Sequence, residues 1–253
     1  MSKKDIIGIC VLCGQEKKLT FEHIPPHAAF NNRPASVVTG DKFVRFMTGE
    51  QVKGKIQQKG MGRYSLCEEC NSKTGAWYGD FYQKVAKDTA YILYQKPIAH
   101  GEWITFSTDK FRPLEFVKQI CSFFCSTVQP EFIKQLGFEK FILDRESNDI
   151  DTSKFDLRIY LTPIAVKNMV TGYNVQLINL QTRGVAEIVT HPFGFMLNFN
   201  PEIPLEVGTS LLPFFKLEYG KDHHVDIGMQ CLEKNEQPLT CMFKPLPKNE
   251  QKG

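Results

Sequence analysis

The sequence predicts an α+β architecture in two parts, a small N-terminal module followed by a helix and a mainly antiparallel β-sheet domain. Three observations predict it. Two Cys-x₂-Cys pairs, Cys10/Cys13 and Cys67/Cys70, bracket the first part. An aromatic stripe at helical spacing follows the second pair. From residue 155 the apolar pattern changes to period two, with Gly172, Gly184, Gly208 and Gly220 among the turns. Helices followed by strands give an α+β arrangement. The domain boundary is placed so that 1–96 form the first unit and 97–253 the second.

The elements follow in order. Leu19–Phe21 reads as a short strand feeding Glu22-His23, and Pro25-Pro26 stops it. Val37-Val38 and Phe43–Met47 read as short strands inside a long insert. Asn71 through Leu93 reads as a helix, because Trp77, Tyr78, Phe81, Tyr82, Val85 and Ala86 recur at three- to four-residue steps. Glu102–Phe106 reads as a strand. Pro113 opens a helix over Leu114–Ser126 with Phe116, Ile120, Phe123 and Phe124 as its stripe, and a second helix is expected around Glu131–Leu136. Strands are expected at Leu157–Thr162, Tyr173–Leu180, Val185–Thr190, Phe193–Asn198, Phe214–Glu218, His224–Met229 and Leu239–Phe243. His191-Pro192 reads as a strand break, and Lys248 to Gly253 as a frayed tail.

Composition narrows the class. The 253 residues are 42% hydrophobic and 23% charged, ordinary for a globular chain with a full core. No apolar run is long enough to span a bilayer. The start, MSKKDIIGICVLCG, lacks a small-residue cleavage site, so no signal peptide is expected and the location is read as cytoplasmic. The net charge of +3 divides unevenly. Residues 1–96 carry 15 Lys and Arg against 9 Asp and Glu, whereas 97–253 carry 16 against 19. The basic excess of the first part suits either a polyanion partner or a solvated face with surplus lysines.

The cysteines point to a metal. A two-residue spacer lets both thiolates of a knuckle converge on one ion, and two knuckles complete a tetrahedral sulfur shell that favours Zn²⁺. Without an export signal, disulfides are the weaker reading. Across the 53-residue gap between the knuckles, zinc would tie the start of the module to its end. Cys121 and Cys125, four apart on the expected helix, read as buried small hydrophobes rather than ligands.

The surrounding residues are more specific. Cys-x₂-Cys, then Glu22-His23-Ile24-Pro25-Pro26, then Cys-x₂-Cys-Asn71-Ser72-Lys73 resembles the HNH (ββα-metal) nuclease family with its structural zinc, over about residues 8–90. The resemblance implies that the acidic-His pair ends the first strand and that Asn71 opens the helix. It implies an endonuclease hydrolysing phosphodiester bonds of DNA, with His23 as general base and Glu22 and Asn71 holding a catalytic Mg²⁺ or Mn²⁺. The chemistry is coherent. Hydrolysis needs a water, a base near its working pH, and a hard cation bound through oxygen. The sequence departs from the family at three points. Glu22 stands where Asp is usual, Asn71 replaces the final His, and Gly62 occupies the place of the middle Asn that braces the loop of the base. Asn31 or Asn32 is the candidate substitute.

The insert carries Lys42, Arg45, Lys53, Lys55, Lys59 and Arg63 among glycines. Lys53, Lys55, Lys59, Arg63 and Lys73 are the candidate phosphate contacts; the alternative is a flexible loop with solubilising lysines. His27 is expected to face solvent. In the second part, Asp222-His223-His224 with Asp226 reads as a polar hairpin edge rather than a metal site. That part is assigned to substrate positioning, partner docking or homo-oligomer formation. HNH-like modules with an extra domain also resemble bacterial or phage defence effectors. The competing reading is a catalytically inactive, zinc-stabilised adaptor that binds nucleic acid or protein.

Overall fold

The computed structural model describes residues 5–37, 42, 45, 49–51, 53–162, 169–170, 174–178 and 181–232. β1 (Ile7–Ile9) and β2 (Glu16–His23) form a hairpin, whose turn carries Cys10 and Cys13 and closes at Gly14 with φ 69°. β3 (Ala35–Val37) and β4 (Lys55–Gln57) pair as a separate ribbon within the insert. β5 (Gly62–Cys67) returns antiparallel to β2, giving the order β1-β2-β5. Val38 and most of Phe43–Met47 lie outside the described residues.

The expected helix begins three residues early and has a break in its geometry. α1 (Glu68–Thr74) runs into a π-helical turn, Gly75–Gly79, and then into α2 (Asp80–Gln95). Glu68 and Glu69 in the first turn favour the positive end of the helix dipole. The stripe faces inward as its spacing requires, with Tyr78, Tyr82 and Ala86 buried.

β6 (Trp103–Phe111) is longer than the expected strand and pairs with the last described strand, β13 (His223–Gln230). α3 (Pro113–Thr127) starts on proline, and all of its residues are buried, including Glu115, Lys118, Gln119 and Ser122. A helix covered on every side is a central one. α4 (Pro130–Ile133), a 3₁₀ turn at Lys134–Leu136 and α5 (Phe138–Leu143) follow. Lys118 of α3 donates to the carbonyls of Phe141 and Asp144, at 2.6 and 2.5 Å, and so satisfies the C-terminal end of α5. Burial draws its ammonium down to about 8.

The larger sheet is antiparallel throughout. It is built from β7 (Asp156–Leu161), β8 (Met169–Val170), β9 (Asn174–Ile178), β10 (Gln181–Thr190), β11 (Phe193–Asn198) and β12 (Thr209–Ser210). The order is β12-β7-β11-β10-β8, with β9 also on β10, and His191-Pro192 makes the β10–β11 turn. Gly194 is required here: the Tyr160 ring lies where a Cβ would stand, and its hydroxyl donates to Glu187 at 2.7 Å. Phe214–Glu218 does not form a strand. Leu212–Lys216 is a 3₁₀ turn with Pro213 near its start, where proline fits a helical turn and would remove a ladder donor. Leu239–Phe243 lies outside the described residues.

The core continues across residues 96 and 97. Tyr82 of α2 packs its ring against Phe116 and Phe123 of α3 and Phe195 of β11. β5 is fastened to the end of α3 by Ser65 to Ser126, 3.0 Å, and Arg63 to the Thr127 carbonyl, 3.3 Å. None of the described helices is long and apolar enough to cross a membrane.

Candidate functional site

Two chemically distinct sites sit at opposite ends of the β2–β5 pair. At one end the four thiols of Cys10, Cys13, Cys67 and Cys70 have sulfurs within 4.8 Å of one another. Tetrahedral zinc with Zn–S bonds of about 2.3 Å needs sulfurs just under 4 Å apart, and Cys13 and Cys67 stand at 4.0 Å. The first knuckle is a turn held by Cys10 N–H to the Gln15 carbonyl and Gly14 N–H to the Cys10 carbonyl, both 2.9 Å. The second spans the end of β5 and the first turn of α1, so one helix start delivers both thiols. Burial, then the neighbouring thiols, push the Cys70 thiol well above its usual range; a cation would reverse that. These four could hold a structural metal such as zinc, and no disulfide joins the described cysteines.

At the other end lies a cavity of about 170 Å³. Glu22, His23 and Asn71 line it together, with Phe21, Pro26 and His27 beside them. Gly75 and Gly79 of the π-helical turn, Gln83 of α2 and Gln119 of α3 complete the wall. The three residues singled out in the sequence therefore meet in space.

Each has a local reason for its position. Strict alternation along β2 would turn Glu22 away from the side that buries Leu19. Alternation instead puts it on the face of Thr20, which bonds Asn71 of α1, and Glu22 is 6% exposed there. Burial pushes its carboxyl up to about 7. His23 ends the strand opposite Gly62. Its ring meets Phe21 and His27 edge-on, with centroids 4.9 and 5.4 Å away. Burial first, then the neighbouring His27, hold the His23 imidazole below its ordinary value, with the Lys59 backbone acting in the opposite sense. Asn71 donates its amide to Thr20 Oγ1 at 2.9 Å, and Thr20 passes the bond to the Leu66 carbonyl. The Asn71 side-chain oxygen is the atom that this bond leaves unused.

Gly62 and Asn31 form one arrangement. A Cβ at Gly62 would overlap the Glu22 carbonyl oxygen, so no larger residue fits. Asn31, 3% exposed, does the bracing instead. Its amide donates to the carbonyls of Pro25, 2.8 Å, and Met61, 2.7 Å, while its oxygen accepts the Met61 N–H at 2.7 Å. Asn32 is exposed.

The basic candidates are placed otherwise. Lys59 lies over the rings of Phe21 and Tyr64, 5.3 and 5.9 Å from their centroids. Lys53 and Lys55 are exposed on the insert. Arg63 is bonded to Thr127, and Lys73 pairs with Glu69 at 2.8 Å. None of the five lines the cavity. His27 is exposed at its mouth and also lines it. Sequence reasoning missed Gln83 and Gln119, which only the packing of α2 and α3 brings to the cavity.

The remaining candidates have ordinary surroundings. Cys121 and Cys125 are fully buried in the core. His224 bonds Asp109 of β6 at 2.6 Å and Asp226 at 3.3 Å on the exposed face of the β6–β13 ribbon. Among the described residues, only the four-cysteine group brings three or more His, Cys, Asp or Glu ligands together.

Known proteins give no assignment. No family model matches the chain, and no curated protein or solved structure matches it.

Proposed function

We propose that this chain is a metal-dependent endonuclease of the HNH (ββα-metal) type, hydrolysing phosphodiester bonds of DNA. The observation that carries the reading is the convergence of Glu22, His23 and Asn71, from a strand end and a helix start, on one cavity. A two-stranded antiparallel pair followed by a helix, with a thiol cluster fastening strand to helix, supports it. Asn31 supports it further by bracing the loop that follows His23.

The donor set fits a hard divalent cation such as Mg²⁺ or Mn²⁺. A buried carboxylate and an amide oxygen are the ligands such ions take, with water and phosphate oxygens filling the other positions. When bound, the ion would offset charge on the phosphate and the leaving oxygen. Glu22 and Asn71 would hold it, both fixed on regular backbone. Burial and the neighbouring His27 lower the affinity of His23 for a proton, and as general base its imidazole would take one from the attacking water as the oxygen–phosphorus bond forms. Edge-on packing of its ring against Phe21 and His27 orients the imidazole. Phe21 and Pro26 line the cavity beside the base.

The test is plasmid DNA incubated with Mg²⁺ or Mn²⁺, comparing wild type with His23→Ala. Wild type should nick or cut, and the variant should lose 10²-fold or more of the rate. Equal cleavage by both proteins, or none by either across ions and substrates, contradicts the reading. One observation favours a second reading, a zinc-stabilised adaptor that binds without cleaving: Arg63 and Lys73 are spent on internal partners rather than facing the cavity. Tight DNA binding without cleavage would select it. Service as a defence effector is a further proposal, resting on the extra 97–253 segment alone.

A further inference from the structure

The cavity has a wall that the 1–96 segment does not supply. Gln119 lies on α3, 2% exposed, and lines the cavity with Glu22 and Asn71. Its Oε1 is buried without a hydrogen-bond partner among the described residues. A buried acceptor left unpaired carries a desolvation cost, so such an atom calls for a ligand.

The opposite wall is shaped to leave that oxygen uncovered. Gly79 stands against it: a Cβ there would lie 3.6 Å from Gln119 Oε1, ordinary contact rather than a clash. A Cβ at Gly75, one turn earlier, would meet nothing within 4 Å. Packing therefore does not demand glycine at either place, and the bare Gly79 leaves the space in front of Gln119 open. Among the lining side chains the oxygen donors are one carboxylate, Glu22, and three carboxamides, Asn71, Gln83 and Gln119, of which Gln119 is the one with a buried unpaired oxygen. Neutral amide oxygens beside a carboxylate are hard donors, suited to Mg²⁺ or Mn²⁺ rather than to soft metals.

We propose that Gln119 is an oxygen ligand, directly or through one coordinated water, of the divalent cation that Glu22 and Asn71 hold. The inference rests on the cation reading given above. It makes the site a joint product of the N-terminal module and the central helix of the larger part, so the module alone has an incomplete coordination shell.

The test is Mn²⁺ titrated into the full-length, zinc-loaded protein without nucleic acid, with free Mn²⁺ followed by electron paramagnetic resonance. Wild type is compared with Gln119→Met, Gln119→Glu and Glu22→Gln, with zinc content and circular dichroism as fold controls. Gln119→Met should weaken Mn²⁺ binding tenfold or more, the scale of ligand-supporting groups, and Gln119→Glu should restore or tighten it. Wild-type affinity in Gln119→Met, with weaker binding in Glu22→Gln, overturns the role of Gln119 and leaves the cation site standing. Equal binding by wild type and Glu22→Gln overturns both. If Gln119→Met does not fold, Gln119→Leu is read by the same outcomes.

Discussion

Asn31 sits between two loops, and its amide and oxygen make three hydrogen bonds to the backbone of Pro25 and Met61. Truncating it leaves buried carbonyls without donors, each worth about 1 kcal/mol or more. Asn31→Ala should therefore lower unfolding free energy by roughly 2–3 kcal/mol, while Asn32→Ala, at an exposed position, should change it by under about 0.5 kcal/mol. Urea denaturation of the two variants checks this; equal effects contradict the bracing role. Much at this scale was readable from residue order. The acidic-His pair before a proline stop, and the Asn after the second knuckle, marked the residues that meet at the cavity. Glu22's burial was not readable, because nothing in the strand's own residues shows that α1 covers the face it shares with Thr20. Gln119 was not readable either: a glutamine on an apolar helix gives no sign of what faces it.

At the scale of elements, the thiol cluster and the helix start are one structure. Cys67 ends β5 and Cys70 lies in the first turn of α1, so the cluster sets where α1 begins relative to β2, and Asn71 with it. Cys67→Ala should lose zinc and cooperative folding of the N-terminal module, while His23→Ala should keep wild-type zinc content. Elemental analysis and thermal melts read both; a zinc-free wild type contradicts the thiolate site. The helices and most strands were legible from periodicity, since apolar spacing is set by which face is buried. Two features escaped it. The π-helical turn interrupts an otherwise unbroken stripe and leaves the apolar spacing intact. Phe214–Glu218 carries strand-like residues, but Pro213 and the close approach of Leu212 and Phe215 to the core make a 3₁₀ turn.

Over the whole molecule, the large sheet and α3 form a shared core against which the cavity is built. Its cost includes a buried acid that does not line the cavity. Burial pushes the Glu187 carboxyl up to about 7, partly offset by the hydrogen bond from Tyr160. Because the folded value exceeds the unfolded one, the protonated form favours folding. The added stability is complete below about pH 4.5 and is lost as pH rises through 7. Its full span is on the order of 3 kcal/mol. Glu187→Gln should flatten that part of the stability–pH curve between pH 4.5 and 8, as measured by urea unfolding; an unchanged slope contradicts it. What sequence could not show at this scale was the joining of the two parts. Each half reads as its own pattern, while Tyr82 against Phe116, and Ser65 against Ser126, are contacts between distant segments.

The account turns on one cation held where β2, α1 and α3 meet. Crystals soaked in Mn²⁺ and measured for anomalous scattering test this most directly. The account predicts a peak inside the cavity within coordination distance of Glu22 and Asn71, with the imidazole of His23 facing the space beside it. A well-ordered cavity with no peak, or with the imidazole turned away and a peak only at surface carboxylates, would contradict it.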